Sequence, residues 1–191
     1  MIKTVIRQRL NAILNESQIQ HSVVVQNLDI KDTHVYCKAN RITGQNFGHI
    51  IECRVINLLR ATKLNSSLEC GDFSLNAQNY ELKTSLGGKS NSKFNYVQIR
   101  PHHNIDFYML TAYYLNNENV GNNGTLYTFK IPHRDMIQIL LKHGTYAHGC
   151  KRTHGEITLS KINNSTLEYA LRPKFNNVCW KTMMQFCTTQ I

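Results

Sequence analysis

Apolar residues recur at helical spacing in two stretches of the chain. Residues 2–15 place Ile2, Val5, Ile6, Leu10, Ile13 and Leu14 on one stripe, and residues 47–60 repeat the pattern with Phe47, Ile50, Ile51, Val55, Leu58 and Leu59. A turn-rich patch follows from Lys63 to Gly71. The pattern then changes to strands. NYELKTS at 79–85 reads as a short strand, followed by LGGKSNSK at 86–93, a loop of small and polar residues. FNYVQIR at 94–100 predicts another strand, which Pro101 ends. DFYMLTAYYL at 106–115 is aromatic, apolar and bounded by polar clusters, as a buried strand is, and TLYTFKI at 125–131 returns after the turn NNENVGNNG. Residues 133–142 predict a helix, and shorter elements fill the remainder. The order of elements predicts an α/β chain, a mixed central β-sheet flanked by helices, in a single domain over 1–191.

Composition adds a polar partner to this outline. Hydrophobic residues make up 41% and charged residues 18%, which excludes a disordered chain. Lys and Arg number 22 against 12 Asp and Glu, a net charge of +10. Such an excess favours a polyanion, because each phosphate neutralised releases counterions. From Lys130 onward nine basic residues face only Asp135, Glu156 and Glu168, so 130–191 is the expected basic, DNA-contacting portion. A basic protein without such a partner is the plain alternative, and charge alone does not choose. No apolar stretch approaches the about 20 residues of a membrane span, and the first residues lack a signal-peptide core. The expectation is an intracellular chain with no membrane partner. The cysteines at 37, 53, 70, 150, 179 and 187 form no Cys-x-x-Cys pair and read as reduced thiols.

The chemistry concentrates in LECGDFSLNAQNYELKTS, from Leu68 to Ser85, which offers Glu69, Asp72, Glu81 and Lys83. Side chains i and i+2 of a strand share a face, so Glu81 and Lys83 point the same way while Leu82 turns to the other side. Two carboxylates hold divalent cations through oxygen, and magnesium keeps waters for chemistry. The cation polarises a phosphoryl group and acidifies a bound water. A lysine on the same face orients that water and stabilises charge at phosphorus. A strand with solvated charges would carry the same residues with no such role.

Asp72 as first acid and Glu81-Leu82-Lys83 as second half resemble the signature of the PD-(D/E)xK nucleases, with Gly71 where a proline usually stands. Glu69, Asp72 and Tyr80-Glu81-Leu82-Lys83 are similar to the arrangement in compact type II restriction endonucleases of the PvuII type. The likeness spans residues 47 to 115. It implies a restriction-endonuclease-like α/β fold and Mg²⁺-dependent, sequence-specific hydrolysis of phosphodiester bonds in double-stranded DNA. It also implies a homodimer, with residues 1–46 as a candidate dimerisation extension. Asp72 and Glu81 would be metal ligands, with Glu69 and Glu52 as further candidates, and Lys83 would position the attacking water. Glu52 enters because helices preceding the first acid bring a carboxylate to the metal in many such nucleases. A solvated helix glutamate is equally consistent. Two rival functions are a repair or recombination nuclease of the same superfamily and a non-catalytic basic nucleic-acid-binding protein.

Three segments carry the donors that reading DNA requires. Lys89 and Lys93 lie in the loop after the catalytic strand. Gln98, Arg100, His102 and His103 form a polar run. His148, Lys151 and Arg152 lie in HGTYAHGCKRTHG, from His143 to Gly155, where glycines let backbone amides approach phosphates. That stretch has no standard zinc spacing. For the loop after the strand DNA contact is the favoured reading; a flexible solvated loop fits His143–Gly155 equally well, and solvated polar side chains are the competing account of Gln98–His103. Tyr108, Tyr113 and Tyr114 are expected in the sheet core rather than under stacked bases.

Overall fold

The computed structural model describes residues 29–39, 44–87, 93–114 and 124–190. The helix expected at 2–15, and with it most of the candidate dimerisation extension, lies outside the described residues, as do Lys89 and the turn at 116–123.

The architecture is mixed α/β, as the pattern predicts: a mixed sheet, a smaller second sheet and, among the described residues, six α-helices. Asp29 opens α1 (Ile30–Ala39), its carboxylate accepting the N–H of Asp32 at 2.6 Å. Helix α2 (Gly44–Leu59) buries Phe47, Ile51 and Val55, spaced one turn apart, against the central sheet. Next come β1 (Thr62–Lys63), a 3-10 turn at Ser66–Leu68, β2 (Phe73–Leu75) and β3 (Gln78–Gly87). Strand β4 (Tyr96–Ile99) leaves for the second sheet, and β5 (Phe107–Tyr114) returns beside β3. The hairpin partner of β5 is β6 (Thr125–Pro132), which runs into α3 (His133–His143). The C-terminal part holds β7 (Thr145–Tyr146), α4 (Lys151–His154), α5 (Leu159–Asn164), β8 (Tyr169–Leu171), α6 (Val178–Met184) and β9 (Cys187–Gln190).

The central sheet has the order β1-β2-β3-β5-β6-β9. All neighbours are antiparallel except β3 and β5, which pair in parallel from Tyr80↔Phe107 to Gly87↔Tyr114. The second sheet has the order β4-β8-β7.

Alternation along β3 and β5 divides the apolar side chains between two cores. Tyr80, Leu82 and Tyr113 join Phe47, Ile51 and Val55 under α2. Tyr108, Leu110 and Ala112 face the other way, toward Tyr96 of the second sheet, Met136 and Leu140 of α3, and Trp180. The expected placing of the tyrosines holds: Tyr108 and Tyr113 are buried, and Tyr114 stacks on Phe175 with ring centroids 4.1 Å apart.

Candidate active site

The site begins with an edge that one strand fails to cover. Strand β2 is three residues long and pairs with β3 only through Tyr80, Asn79 and Gln78. Beyond Tyr80 that edge of β3 has no neighbouring strand in the sheet among the described residues. Its next outward donor, the N–H of Leu82, goes to a side chain instead: it donates to Asp72 Oδ2 at 2.7 Å. The main chain of Asp72 is fixed on both sides. Its N–H donates to the Tyr80 carbonyl at 2.8 Å, and its carbonyl accepts from Leu64 N–H at 3.0 Å. Gly71 makes this approach possible. Its φ is +87°, and a Cβ there would stand 2.5 Å from the Tyr80 carbonyl oxygen. A proline, with φ fixed near −65°, cannot occupy this position, so the departure from the nuclease signature has a backbone cause.

Glu81 and Lys83 share a face of β3, as the strand period requires, and their side chains form an ion pair. Glu81 is buried and Lys83 reaches the surface. Lys83 lines a cleft of about 390 Å³ together with Asp72, Leu82 and Thr84 on its floor. One wall is α2, through Gly48, His49 and Glu52; the other is β4 with the residue before it, Asn95, Tyr96, Val97 and Gln98. The spacing of Gly48 and Glu52, one helical turn apart beside the buried stripe, explains why both face the cleft. Glu52 also forms an ion pair with Lys63 of β1, at 3.1 Å. Lys63 has no counterpart among the expected site residues, since a pair between a helix and a two-residue strand leaves no trace in local spacing.

The electrostatics single out Asp72. Burial pushes its carboxyl up to about 6 from the ordinary 3.8; the Glu81 charge adds to the rise, Lys83 and the Leu82 N–H oppose it, and Glu52 contributes further. Among the described residues, Lys63 and Lys83 each pair with a glutamate, while the donor to the Asp72 carboxylate is the backbone N–H of Leu82. Among the described residues no group of three or more His, Cys, Asp or Glu side chains is arranged to hold a metal ion. Magnesium needs less than that: one or two carboxylates beside waters and substrate oxygens. Asp72, with Oδ2 bound to an N–H and crowded by a second carboxylate, is an oxygen donor whose charge a hard cation would relieve. The donor set fits such an ion.

The other expected contacts divide. Gln98 lines the cleft, exposed, with φ +56° at an irregularity in the pairing of β4 with β8. Glu69 does not line the cleft; it is exposed, with φ +52°, and its charge acts on His102. Lys93 is exposed in a bridge to Lys174. Arg100 is engaged within the fold: its Nε and Nη2 both donate to Glu168 Oε1 at 2.6 Å. His148 meets the same carboxylate at 3.4 Å. These two expected DNA contacts are therefore tied together through the second sheet by an acid that local sequence did not implicate. His102 and His103 lie edge to face, 4.7 Å apart, and burial lowers the His102 pKa. His103 lines a second hollow with Asp106, His133 and Arg134. Lys151 pairs with Glu156, and Arg152 is exposed in α4.

No helix among the described residues is long and apolar enough to cross a membrane. The chain matches no family model, and a search of curated proteins finds no match.

Proposed function

We propose that the chain is a Mg²⁺-dependent endonuclease that hydrolyses phosphodiester bonds in double-stranded DNA, acting as a type II restriction endonuclease and as a homodimer. The observation that carries this reading is the convergence of Asp72, Lys83 and Glu52 on one cleft, with Glu81 paired to Lys83 beneath it. The net charge of +10 supports a polyanionic substrate.

In this reading Asp72 and Glu81 would hold the cation, with Glu52 of α2 as a further carboxylate lining the cleft. Bound there, the cation supplies Lewis acidity to the phosphoryl oxygen and lowers the pKa of a water. Lys83 orients the attacking water and balances the charge that develops on the phosphoryl oxygens. A bond would form from the water oxygen to phosphorus as one phosphorus–oxygen bond of the backbone breaks, the attacking water giving up a proton to solvent and the leaving oxygen taking one from solvent. Gln98 and Asn95, on the opposite wall, present amides toward bound DNA, the group type that pairs with adenine edges.

The test is digestion of a sequenced plasmid in Mg²⁺, followed by mapping of the ends. Discrete fragments that disappear with chelator are expected. Asp72→Ala and Glu81→Ala should abolish cutting. Lys83→Ala should slow single-turnover cleavage by about a hundredfold or more while sparing DNA binding in Ca²⁺. A smear of fragments would point to a general or repair nuclease. Retarded but uncut DNA would point to a binding protein, and near-normal cutting by both alanine variants would overturn the site.

A further inference from the structure

The carboxylates in and beneath the cleft outnumber the ammonium groups around them, Glu81 lying buried under Lys83 rather than in the lining. Glu52, Asp72 and Glu81 carry three negative charges; Lys63 and Lys83 carry two positive ones. Lys83 is paired with Glu81 and Lys63 with Glu52. Lys63 is the looser of the two lysines, its side chain 50% exposed against 20% for Lys83. Its backbone is nevertheless anchored beside the site, for it pairs with Phe73 across β1 and β2, and the next residue donates to the Asp72 carbonyl. The ammonium is held in its charged form first by its hydrogen bond to Glu52 and then by the Glu52 charge, with Asp72 adding to the effect.

We propose that Lys63 is a positioning residue that exchanges partners: it neutralises Glu52 in the cation-free cleft, and it turns to a DNA phosphate when a divalent cation binds among the carboxylates. This rests on the function proposed above and adds a coupling to it. Without a cation the five groups sum to one negative charge, which repels a phosphate. Two added positive charges reverse the sum to one positive charge, which attracts the phosphate; the four groups other than Lys63 then sum to zero with the cation, so the net pull that held its ammonium at Glu52 is cancelled. A lysine is suited to the exchange, being a mobile point charge on a flexible stem. The consequence is reciprocal: cation loading strengthens DNA binding, and DNA strengthens cation binding by the same factor.

The probes are Ca²⁺, titrated by calorimetry, and a mixed-sequence duplex whose affinity is measured across a salt series in Ca²⁺ and in chelator. Lys63→Met should bind Ca²⁺ about two- to fivefold more tightly in the absence of DNA, because a competing partner of Glu52 is gone. In Ca²⁺ its plot of log affinity against log salt should be shallower by about 0.9, the signature of one lost phosphate contact. In chelator the slope should equal that of the unaltered chain. Lys63→Arg should restore both properties. Unaltered or weaker Ca²⁺ binding by Lys63→Met, or the same slope change with and without Ca²⁺, overturns the exchange. If Asp72→Asn abolishes Ca²⁺ uptake in that case, the nuclease reading stands and only the role of Lys63 falls. If the unaltered chain takes up no Ca²⁺, both fall together.

Discussion

Asp72 is held where its charge is unwelcome. Its backbone and one carboxylate oxygen are fixed by three hydrogen bonds, while burial and the neighbouring acids favour its protonated form. A group whose folded pKa is raised adds stability at low pH and loses that contribution as pH rises through the folded value. Here the loss falls between about 4 and about 6, so ionised Asp72 weakens the fold at neutrality. Asp72→Asn keeps an oxygen for the Leu82 N–H and removes the charge. It should raise stability at pH 7 by about 1–2 kcal/mol, and thermal melting should show a midpoint higher by a few degrees, with no gain at pH 4. The proposed cation uptake would run the other way, because it needs the ionised form. Ca²⁺ affinity should fall about tenfold from pH 7 to pH 5, and a flat profile would remove Asp72 from the ligand set. At this scale the sequence was informative where chemistry follows strand period: Glu81 and Lys83 share a face because they are two residues apart. It was silent on Lys63 with Glu52 and on Arg100 with Glu168, since those pairs join elements whose adjacency only folding decides.

Helices α2 and α3 were legible because each buries one face at helical spacing, and β3, β5 and β6 because their runs are bounded by turn residues, β5 as a continuous apolar run buried on both faces. The second sheet was not. Strand β4 was expected at 94–100, but its partners β7 and β8 are two and three residues long, too short to show alternation. Their pairing depends on contacts between distant parts of the chain. The turn before β2 was read only as turn-rich, yet it sets the site. Gly71 has the left-handed φ that lets Asp72 reach Tyr80. Gly71→Ala should therefore destabilise the chain by about 1–3 kcal/mol and draw the Asp72 carboxylate away from Leu82. Chemical denaturation would measure the first effect and Ca²⁺ titration the second. A variant with unaltered stability would mean that the backbone carbonyl of Tyr80 is not needed to hold the turn.

For the whole molecule, the proposed function makes the symmetry of a duplex the governing constraint. Cutting both strands at a symmetric site is done most simply by two copies about a two-fold axis. Sedimentation should show two chains per cleaved duplex, and a single chain on DNA that still cuts both strands would oppose the homodimer. The cleft is lined by residues between Gly48 and Gln98, but one of its walls is braced from the C-terminal part. One wall comes from α2; the other, β4, is held in place by β8, through Tyr96↔Leu171 and Ile99↔Tyr169, and by the donation of Phe94 N–H to the Pro173 carbonyl. The segment that bears Asp72, Glu81 and Lys83 leaves the ribosome long before the residues that brace the opposite wall. A nascent chain carries all three chemical groups with half of their enclosure missing. For a protein proposed to cut DNA, late completion of that wall withholds a finished cleft until synthesis has passed Pro173.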